Sequence, residues 1–244
     1  MNKILLVLLA AFAPHCVYSQ ESDTTLHTIS INAAGNANKT NGGDSYILNN
    51  GLKLSIQRKE SIALNFNNTW LYGRNDSRLT NNDYTATFDV NLYRHIKGFY
   101  YWGLGNYTTS YSLKIVNQLQ TGLGIAYNII KTPDTQLNIS DGILFETSRI
   151  KPSEETSEEY QTFRNSLRLT FKYTFIERVV ADGTGFLQHS LNYKNDYIIR
   201  ANAGIGFKIN KWLMLNTSLR YNKLERTKRE NLLLSYGIRA EKSF

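Results

Sequence analysis

The last thirteen residues of the chain, 232–244, alternate between apolar and polar side chains. With Lys242 as the exception, the apolar set is Leu232, Leu234, Tyr236, Ile238, Ala240 and Phe244. Side chains alternate across a β-strand with a period of two, so this segment is predicted to be a strand with one apolar and one polar face. A strand in this place avoids an unpaired edge if it pairs with the first strand. The pattern therefore predicts a closed barrel with an apolar outer surface.

Similar segments recur along the chain and predict about twelve strands. They span residues 26–35, 45–58, 62–72, 83–93, 99–108, 118–130, 135–146, 162–173, 185–193, 197–209, 212–222 and 231–244. No linker interrupts the series, so residues 20–244 are interpreted as one all-β domain, an antiparallel up-and-down transmembrane β-barrel. Mean hydropathy is −0.38, and no later stretch reaches eighteen apolar residues, which excludes a helical membrane protein.

The first nineteen residues have the composition of a secretory signal peptide. Lys3 supplies a positive start, residues 4–13 are apolar, and residues 17–19 form a small-residue cleavage site. The only cysteine, Cys16, would leave with this segment. The mature chain is therefore expected to be exported without thiols or disulfides.

The predicted connections alternate in length. Those after even-numbered strands are mostly tight, whereas residues 36–44, 73–82, 147–161 and 223–230 form longer polar connections. Outer-membrane barrels have short periplasmic turns and longer external loops. The pattern predicts the outer membrane of a Gram-negative bacterium, with both termini in the periplasm. Residues 174–184 are long for an inner turn, and residues 194–196 are short for an outer loop.

Aromatic residues are expected to form two girdles at the membrane interfaces, where amphipathic rings settle. Tyr46, Trp70, Tyr72, Tyr84 and Tyr221 are assigned to the outer girdle, and Tyr100, Trp102, Tyr127, Tyr173, Phe207 and Phe244 to the inner one.

Asp141 conflicts with this scheme because it shares a face with the apolar residues of the seventh strand. A carboxylate that faces lipid is costly. Either Gly142 marks a β-bulge that changes the phase of the strand, or a partner masks Asp141. The bulge is the favoured interpretation.

Short motifs then link the chain to a known family. They are Gly35-Asn36-Ala37-Asn38, Trp70-Leu71-Tyr72-Gly73, the glycine–tyrosine segment 121–127 and the final strand ending in Phe244. Together they resemble the family of salt-induced outer-membrane proteins built on a domain of unknown function. The resemblance covers nearly the whole mature chain and implies an outer-membrane barrel, but it supplies no settled activity.

The final strand also predicts a partner, the barrel-assembly machinery, which would recognise the strand that ends in Phe244. The usual signal places glycine five residues before its last aromatic residue. Here Gly237 lies seven residues before Phe244, so the match to that signal is loose.

The polar faces predict a charged lumen. Its inward-pointing charges are expected to be Lys53, Asp89, Glu146, Arg164, Arg168, Lys172, Arg200, Lys208, Arg220, Arg239 and Glu241. A basic lumen within a low-dielectric wall attracts anions. Alternatively, the arginines pair with luminal acids and close the barrel, and Glu146 and Arg164 are expected to form one such cross-strand pair.

The glycines of the strands also leave open whether the lumen is a conduit or is closed by side chains. Six of them are expected to face inward, at positions 103, 105, 122, 124, 204 and 206. They either leave room for a conduit or let neighbouring side chains such as Tyr101 fold over them.

The sequence gives no sign of catalysis, a cofactor or a metal. His27, His95 and His189 are scattered, and His189 and Ser190 point to opposite faces, so neither a triad nor a ligand cluster is expected. Nucleic acid is an implausible partner for an exported barrel despite the pI of about 9.4.

Two functions remain open at this stage. The first is a largely closed envelope-structural or stress-related component, and the second is a narrow channel or binding barrel that prefers small anionic solutes. The last outer loop, with Lys223, Arg226, Lys228 and Arg229, is a candidate contact for lipopolysaccharide phosphates.

Overall fold

The computed structural model describes residues 25–40, 43–58, 61–93, 98–153 and 155–244. The signal-peptide prediction for residues 1–19 lies outside these ranges. Within them the chain forms twelve strands: β1 (Thr25–Thr40), β2 (Gly43–Arg58), β3 (Ile62–Asn75), β4 (Arg78–Tyr93), β5 (Phe99–Ser110), β6 (Ile115–Lys131), β7 (Thr135–Ile150), β8 (Glu158–Phe175), β9 (Val179–Ser190), β10 (Tyr197–Lys208), β11 (Leu213–Leu224) and β12 (Arg229–Ser243). A single 3-10 turn, η1 (Glu225–Thr227), joins β11 to β12. No helix in the described ranges is long and apolar enough to cross a membrane.

Each strand pairs antiparallel with its neighbours in the chain, and β1 pairs with β12, so the sheet closes into a barrel. The ladder between the first and last strands runs from the pair Thr28–Ser243 to the pair Gly35–Tyr236. Beyond it, His27 and Phe244 exchange two backbone hydrogen bonds of 2.9 Å. The prediction of a closed barrel with paired terminal strands is confirmed.

The two faces of the wall differ as the alternation requires. On β2, Leu48, Leu54 and Ile56 are exposed on the outer surface, while Asn49 is buried inside the barrel. An apolar outer face and a polar interior are the arrangement that lipid demands of a transmembrane barrel. We call the end that holds the chain termini the terminus end, and the opposite end the far end.

The connections at the far end are shorter than predicted. The β1–β2 ladder continues to the pair Thr40–Gly43, and β3 and β4 are separated only by Asp76 and Ser77. The expectation of long loops over residues 36–44 and 73–82 is therefore wrong. Strand pairing needs only backbone hydrogen bonds, so polar segments can extend the ladders beyond the apolar band.

The long inner turn predicted for residues 174–184 is also wrong. β8 continues to Phe175 and β9 begins at Val179, so the connection is tight. Ile176 and Glu177 have φ angles of 48° and 59°, in the left-handed region that reverses the chain within so few residues.

The phase of β5 differs from the prediction. Tyr100 and Trp102 point inward and are only 9% and 7% exposed, while Tyr101 is exposed on the outer wall. Gly103 and Gly105, on the same face as Tyr101, therefore lie outside the lumen. Four consecutive aromatic residues, 99–102, carry no alternation, which is why the sequence did not reveal the phase.

Trp102 folds across glycines inside the barrel. A Cβ atom on Gly124 would lie 2.6 Å from its ring, and the indole Nε1 donates a hydrogen bond of 3.1 Å to the carbonyl of Ile125. A Cβ atom on Gly122 would likewise lie 2.6 Å from Leu144. On this wall, small residues admit neighbouring side chains and do not widen the lumen.

Asp141 keeps its place on the outer face. It pairs with Ile125 of β6, and the β7–β8 register is the same on both sides of it, so the predicted bulge that changes the phase is wrong. The alternative holds instead: the amide of Asn165 donates to both carboxylate oxygens, at 2.9 and 3.1 Å. The exposed residues Ile139 and Ile143 flank Asp141 on the same strand, so the carboxylate lies within the apolar band.

Replacing Asp141 with leucine is expected to stabilise the barrel by about 1–2 kcal/mol, because a charged group on the lipid face is removed. Asn165→Ala should act in the opposite direction by about 1–3 kcal/mol, because it leaves the carboxylate without its donor. Urea unfolding in lipid vesicles, followed by tryptophan fluorescence, measures both effects. An Asp141→Leu variant no more stable than the unmodified protein would show that the carboxylate is not in contact with lipid.

Candidate functional site

A buried ion network fills part of the lumen. The Nε atom of Arg164 lies 2.8 Å from Oε2 of Glu146, and both side chains are 0% exposed. The predicted pair is thus present, although the residue directly opposite Glu146 is Thr162. Arg164 also contacts Asp196 at 3.0 Å, and Arg226 reaches the other oxygen of Asp196 at 2.7 Å.

Neutral groups complete the surroundings of Glu146. The hydroxyl of Tyr160 donates to its carboxylate at 2.7 Å, and the amide of Gln120 donates at 2.5 Å. The amide of Gln120 also donates to Gln188 at 3.1 Å, which joins β6 to β9 across the lumen. A buried carboxylate is tolerated when hydrogen bonds and an opposite charge satisfy it. Side chains therefore fill this part of the interior, which we call the solid region.

An apolar cluster closes the same region at the far end. Its buried members come from the ends of five strands and from the β5–β6 loop: Leu113, Ile115, Ile150, Tyr160, Ile198 and Leu224. These side chains belong to the inward faces of their strands.

The β5–β6 loop, residues 111–114, folds inward across the mouth. The hydroxyl of Ser112 donates to Asp83 of β4 at 2.6 Å, and it accepts a hydrogen bond of 2.8 Å from Asn231 of β12. The backbone N–H of Ser112 and the hydroxyl of Ser110 also donate to Asp83. Because β12 lies far around the barrel from β5 and β6, these bonds hold the loop over the lumen.

Arg226 departs from the prediction that it contacts lipopolysaccharide. Its guanidinium carbon lies 3.9 Å from the centre of the Tyr160 ring and 4.4 Å from that of Tyr193, and it also pairs with Glu158 at 2.5 Å. Burial lowers the pKa of Arg226, but hydrogen bonds to Asp196 and Glu158 raise it above its ordinary value. A side chain committed to these contacts inside the mouth is not available to a lipid headgroup.

The other cations of this loop stay near the surface. Lys223 lies 3.4 Å from Glu225, and Lys228 pairs with the same carboxylate. Lys228 and Arg229 are both exposed.

Next to the solid region lies a polar cavity of about 750 Å³, lined by residues from every strand except β1. Its lining extends from Ser110 and Asn231 at the far end to Gln57, Lys131 and Gln136 at the terminus end. A smaller cavity of about 340 Å³ adjoins it, with Asn202 and other residues in both linings. The space left in the lumen therefore runs most of the length of the barrel.

All but one of the predicted luminal charges line a cavity or belong to the buried network. Lys53, Asp89, Arg168, Lys172, Arg200 and Arg220 line the larger cavity, while Lys53, Arg220, Arg239 and Glu241 line the smaller one. Glu146 and Arg164 belong to the buried network. Lys208, near the terminus end of β10, lines neither cavity.

Three arginines of the larger cavity have only neutral hydrogen-bond partners among the described residues. Arg168 donates to the hydroxyl of Ser140 at 2.9 Å, Arg200 to Gln118 at 2.7 Å and to Gln120 at 3.4 Å, and Arg220 to Asn202 at 3.2 Å. Asp89 likewise has neutral partners, since it accepts hydrogen bonds from two asparagine amides. Within the described part of the chain, the positive charge of these three arginines is not neutralised by direct pairing.

Several important residues were missed from the sequence. Asp83 lies on the inward face of β4, an even number of positions from Asp89, so the period of two contained the signal. Asp182, which lies 3.7 Å from Arg239, was placed in a turn. Asp196 precedes β10, where no periodicity indicates a direction. The described residues contain no group of three or more His, Cys, Asp or Glu that could hold a metal ion.

Solved structures of outer-membrane proteins are similar to this barrel. The NanC porin matches with a TM-score of 0.53 and 8% identity, over 88% of this chain and 99% of the porin. The KdgM porin in complex with disordered oligogalacturonate matches with a TM-score of 0.48 and 12% identity, over 87% and 98%. The COG4313 outer membrane channel from Pseudomonas putida F1 gives 0.48 and 10%, over 95% and 99%. At such identities the likeness to NanC shows the fold alone, that of an outer-membrane β-barrel.

Comparison of sequences gives the family. No curated protein matches the chain significantly. The profile of a family described as "Protein of unknown function, DUF481" matches residues 31–231, most of the chain. The protein therefore belongs to the DUF481 family.

Proposed function

We propose that the protein is a narrow channel for small anions in the outer membrane of a Gram-negative bacterium, a conduit and not an enzyme. One observation carries this proposal: Arg168, Arg200 and Arg220 face a cavity that runs most of the length of the barrel, and none has a carboxylate partner among the described residues. In the proposed arrangement, the terminus end of the barrel faces the periplasm and the far end faces the outside of the cell.

Electrostatics supports a preference for anions. Besides the three arginines, Lys53 and Lys172 line the larger cavity, whereas its acids among the described residues are Asp83 and Asp89. The surrounding wall and lipid have a low dielectric constant, so the excess positive charge raises the local concentration of anions. With the far end outward, Lys228 and Arg229 face the outer leaflet, where their charges suit lipopolysaccharide phosphates.

Single-channel recording in a planar bilayer with a KCl gradient tests the proposal. The unmodified protein should give small steps and a reversal potential that shows chloride preference. Arg168→Glu should move the reversal potential towards cation preference, because it reverses a charge on the cavity wall. Lys211→Glu is the matched control, since it makes the same change in net charge at an exposed turn between β10 and β11.

A different result would support the second candidate, a largely closed envelope component. The buried ion network and the inward-folded β5–β6 loop favour that function. Folded protein that gives no steps above leak would overturn the channel. Steps with a reversal potential unaffected by Arg168→Glu would overturn the role of the arginines in selectivity.

A further inference from the structure

An aromatic ring lies between two of the unneutralised arginines. Phe186 of β9 is directly opposite Arg168 of β8 on one side and Arg200 of β10 on the other. All three side chains line the larger cavity. Neighbouring strands are about 4.8 Å apart, so the two arginine backbones lie about 10 Å apart with the ring between them.

The guanidinium of Arg168 is held in place by its neighbours, but some of its hydrogen-bond donors have no partner among the described residues. Its carbon lies 5.9 Å from the centre of the Phe186 ring and 5.7 Å from that of Trp102, distances that suit cation–π attraction. Nε donates to Ser140, and the two terminal nitrogens have no hydrogen-bond partner among the described residues. These nitrogens form the fork that binds a carboxylate with two parallel hydrogen bonds.

Arg200, on the other side of Phe186, is held in place by two glutamines of β6. Its terminal nitrogens donate to Gln118 and Gln120, whose side chains are buried. Tyr100 and Leu104 add apolar surface to the same cavity. The wall therefore presents ordered positive charge next to an apolar ring. An inorganic anion would use only the charge, whereas an organic anion with an apolar part would use both.

We propose that Arg168, Phe186 and Arg200 form a mid-lumen binding site for organic carboxylates that carry an apolar ring. The carboxylate pairs with Arg168 while the ring of the solute packs against Phe186, and Arg200 contributes attraction from the other side. This inference rests on the proposed function, because the solute reaches the site through the same cavity. It adds a substrate class to a general preference for anions.

Trp102 provides a fluorescent reporter beside the site. The chain has three tryptophans, and the other two, Trp70 and Trp212, are exposed. The double variant Trp70→Phe/Trp212→Phe leaves Trp102 as the single emitter. Purified folded protein in detergent micelles is titrated with cyclohexanecarboxylate and, separately, with acetate, which has the same charge and no ring.

Cyclohexanecarboxylate is expected to change the emission saturably, with a dissociation constant about 10-fold or more below that of acetate, because only its ring removes apolar surface from water. In the same background, Phe186→Ser should reduce this difference to less than about 3-fold, and Arg168→Gln should abolish both responses. Lys208→Gln, a change of the same charge at a residue that lines neither cavity, should leave both constants unchanged.

Equal constants for the two carboxylates, or an unchanged preference in Phe186→Ser, would overturn the site. The readout needs no ion flow, so the two proposals fail separately. Selective binding without conductance contradicts only the channel. Anion-selective conductance without ring preference contradicts only the binding site.

Discussion

Replacing Arg164 with alanine is expected to lower the free energy of unfolding by about 3–5 kcal/mol. The change leaves the carboxylate of Glu146, which is fully buried, without its opposite charge. Tyr160 and Gln120 would still donate to Glu146, but two of its hydrogen bonds come from Arg164 and would be lost. Urea unfolding in lipid vesicles, followed by tryptophan fluorescence, measures the difference.

Arg149→Ala is the matched control because Arg149 and Glu159 form another ion pair between the same two strands. Those side chains are 50% and 63% exposed. Surface pairs of this kind contribute about 0–1 kcal/mol. If the two substitutions had equal effects, water would have to reach Glu146, and the solid region of the lumen would not exist.

For the proposed channel, deleting Ser112 and Leu113 is expected to raise single-channel conductance about 2-fold or more, because the β5–β6 loop folds across the far mouth. The deletion removes the hydroxyl that joins Asp83 to Asn231 across the lumen, together with one member of the apolar cluster. All luminal arginines are kept, so chloride preference should persist.

A deletion of equal length in the β7–β8 loop, Glu155 and Thr156, serves as control. Among the described residues, the side chain of Thr156 bonds only to Ser153, within that same loop. Heat-modifiable migration on gels verifies that both variants fold. An unchanged conductance after removal of Ser112 and Leu113 would place the narrowest point of the passage deeper in the barrel.

The closed barrel was predictable because alternation with a period of two indicates strands with one apolar and one polar face. The final strand and the alternating lengths of the connections then favoured a closed sheet. It failed where that signal disappears. Residues 99–102 are all aromatic, so the inward direction of Tyr100 and Trp102 was not readable. Polar segments at the far end have the same composition whether they form a loop or extend a strand, and the loops were therefore overestimated.

The candidate site was predictable to a similar extent. The luminal arginines lie on regular strands, so their face follows from their position. Glu146 and Arg164 were paired because their strands are neighbours. The partners from connections, Asp196 and Arg226, have no periodicity that indicates a direction. The position of Phe186 opposite both Arg168 and Arg200 depends on register, which one sequence does not reveal.

The contact between the first and last strands has a consequence for the order of folding. Thr28 and Ser243, whose hydroxyls lie 2.9 Å apart, are separated by 215 residues of sequence. Every other strand pair can form between neighbours in the chain, but this one must wait until the whole chain has been delivered. Non-local pairing of this kind is intrinsically slow, and until it forms both strands expose unpaired edges that are prone to aggregate. Closure of the barrel is therefore the folding step at which protection by a chaperone would matter most.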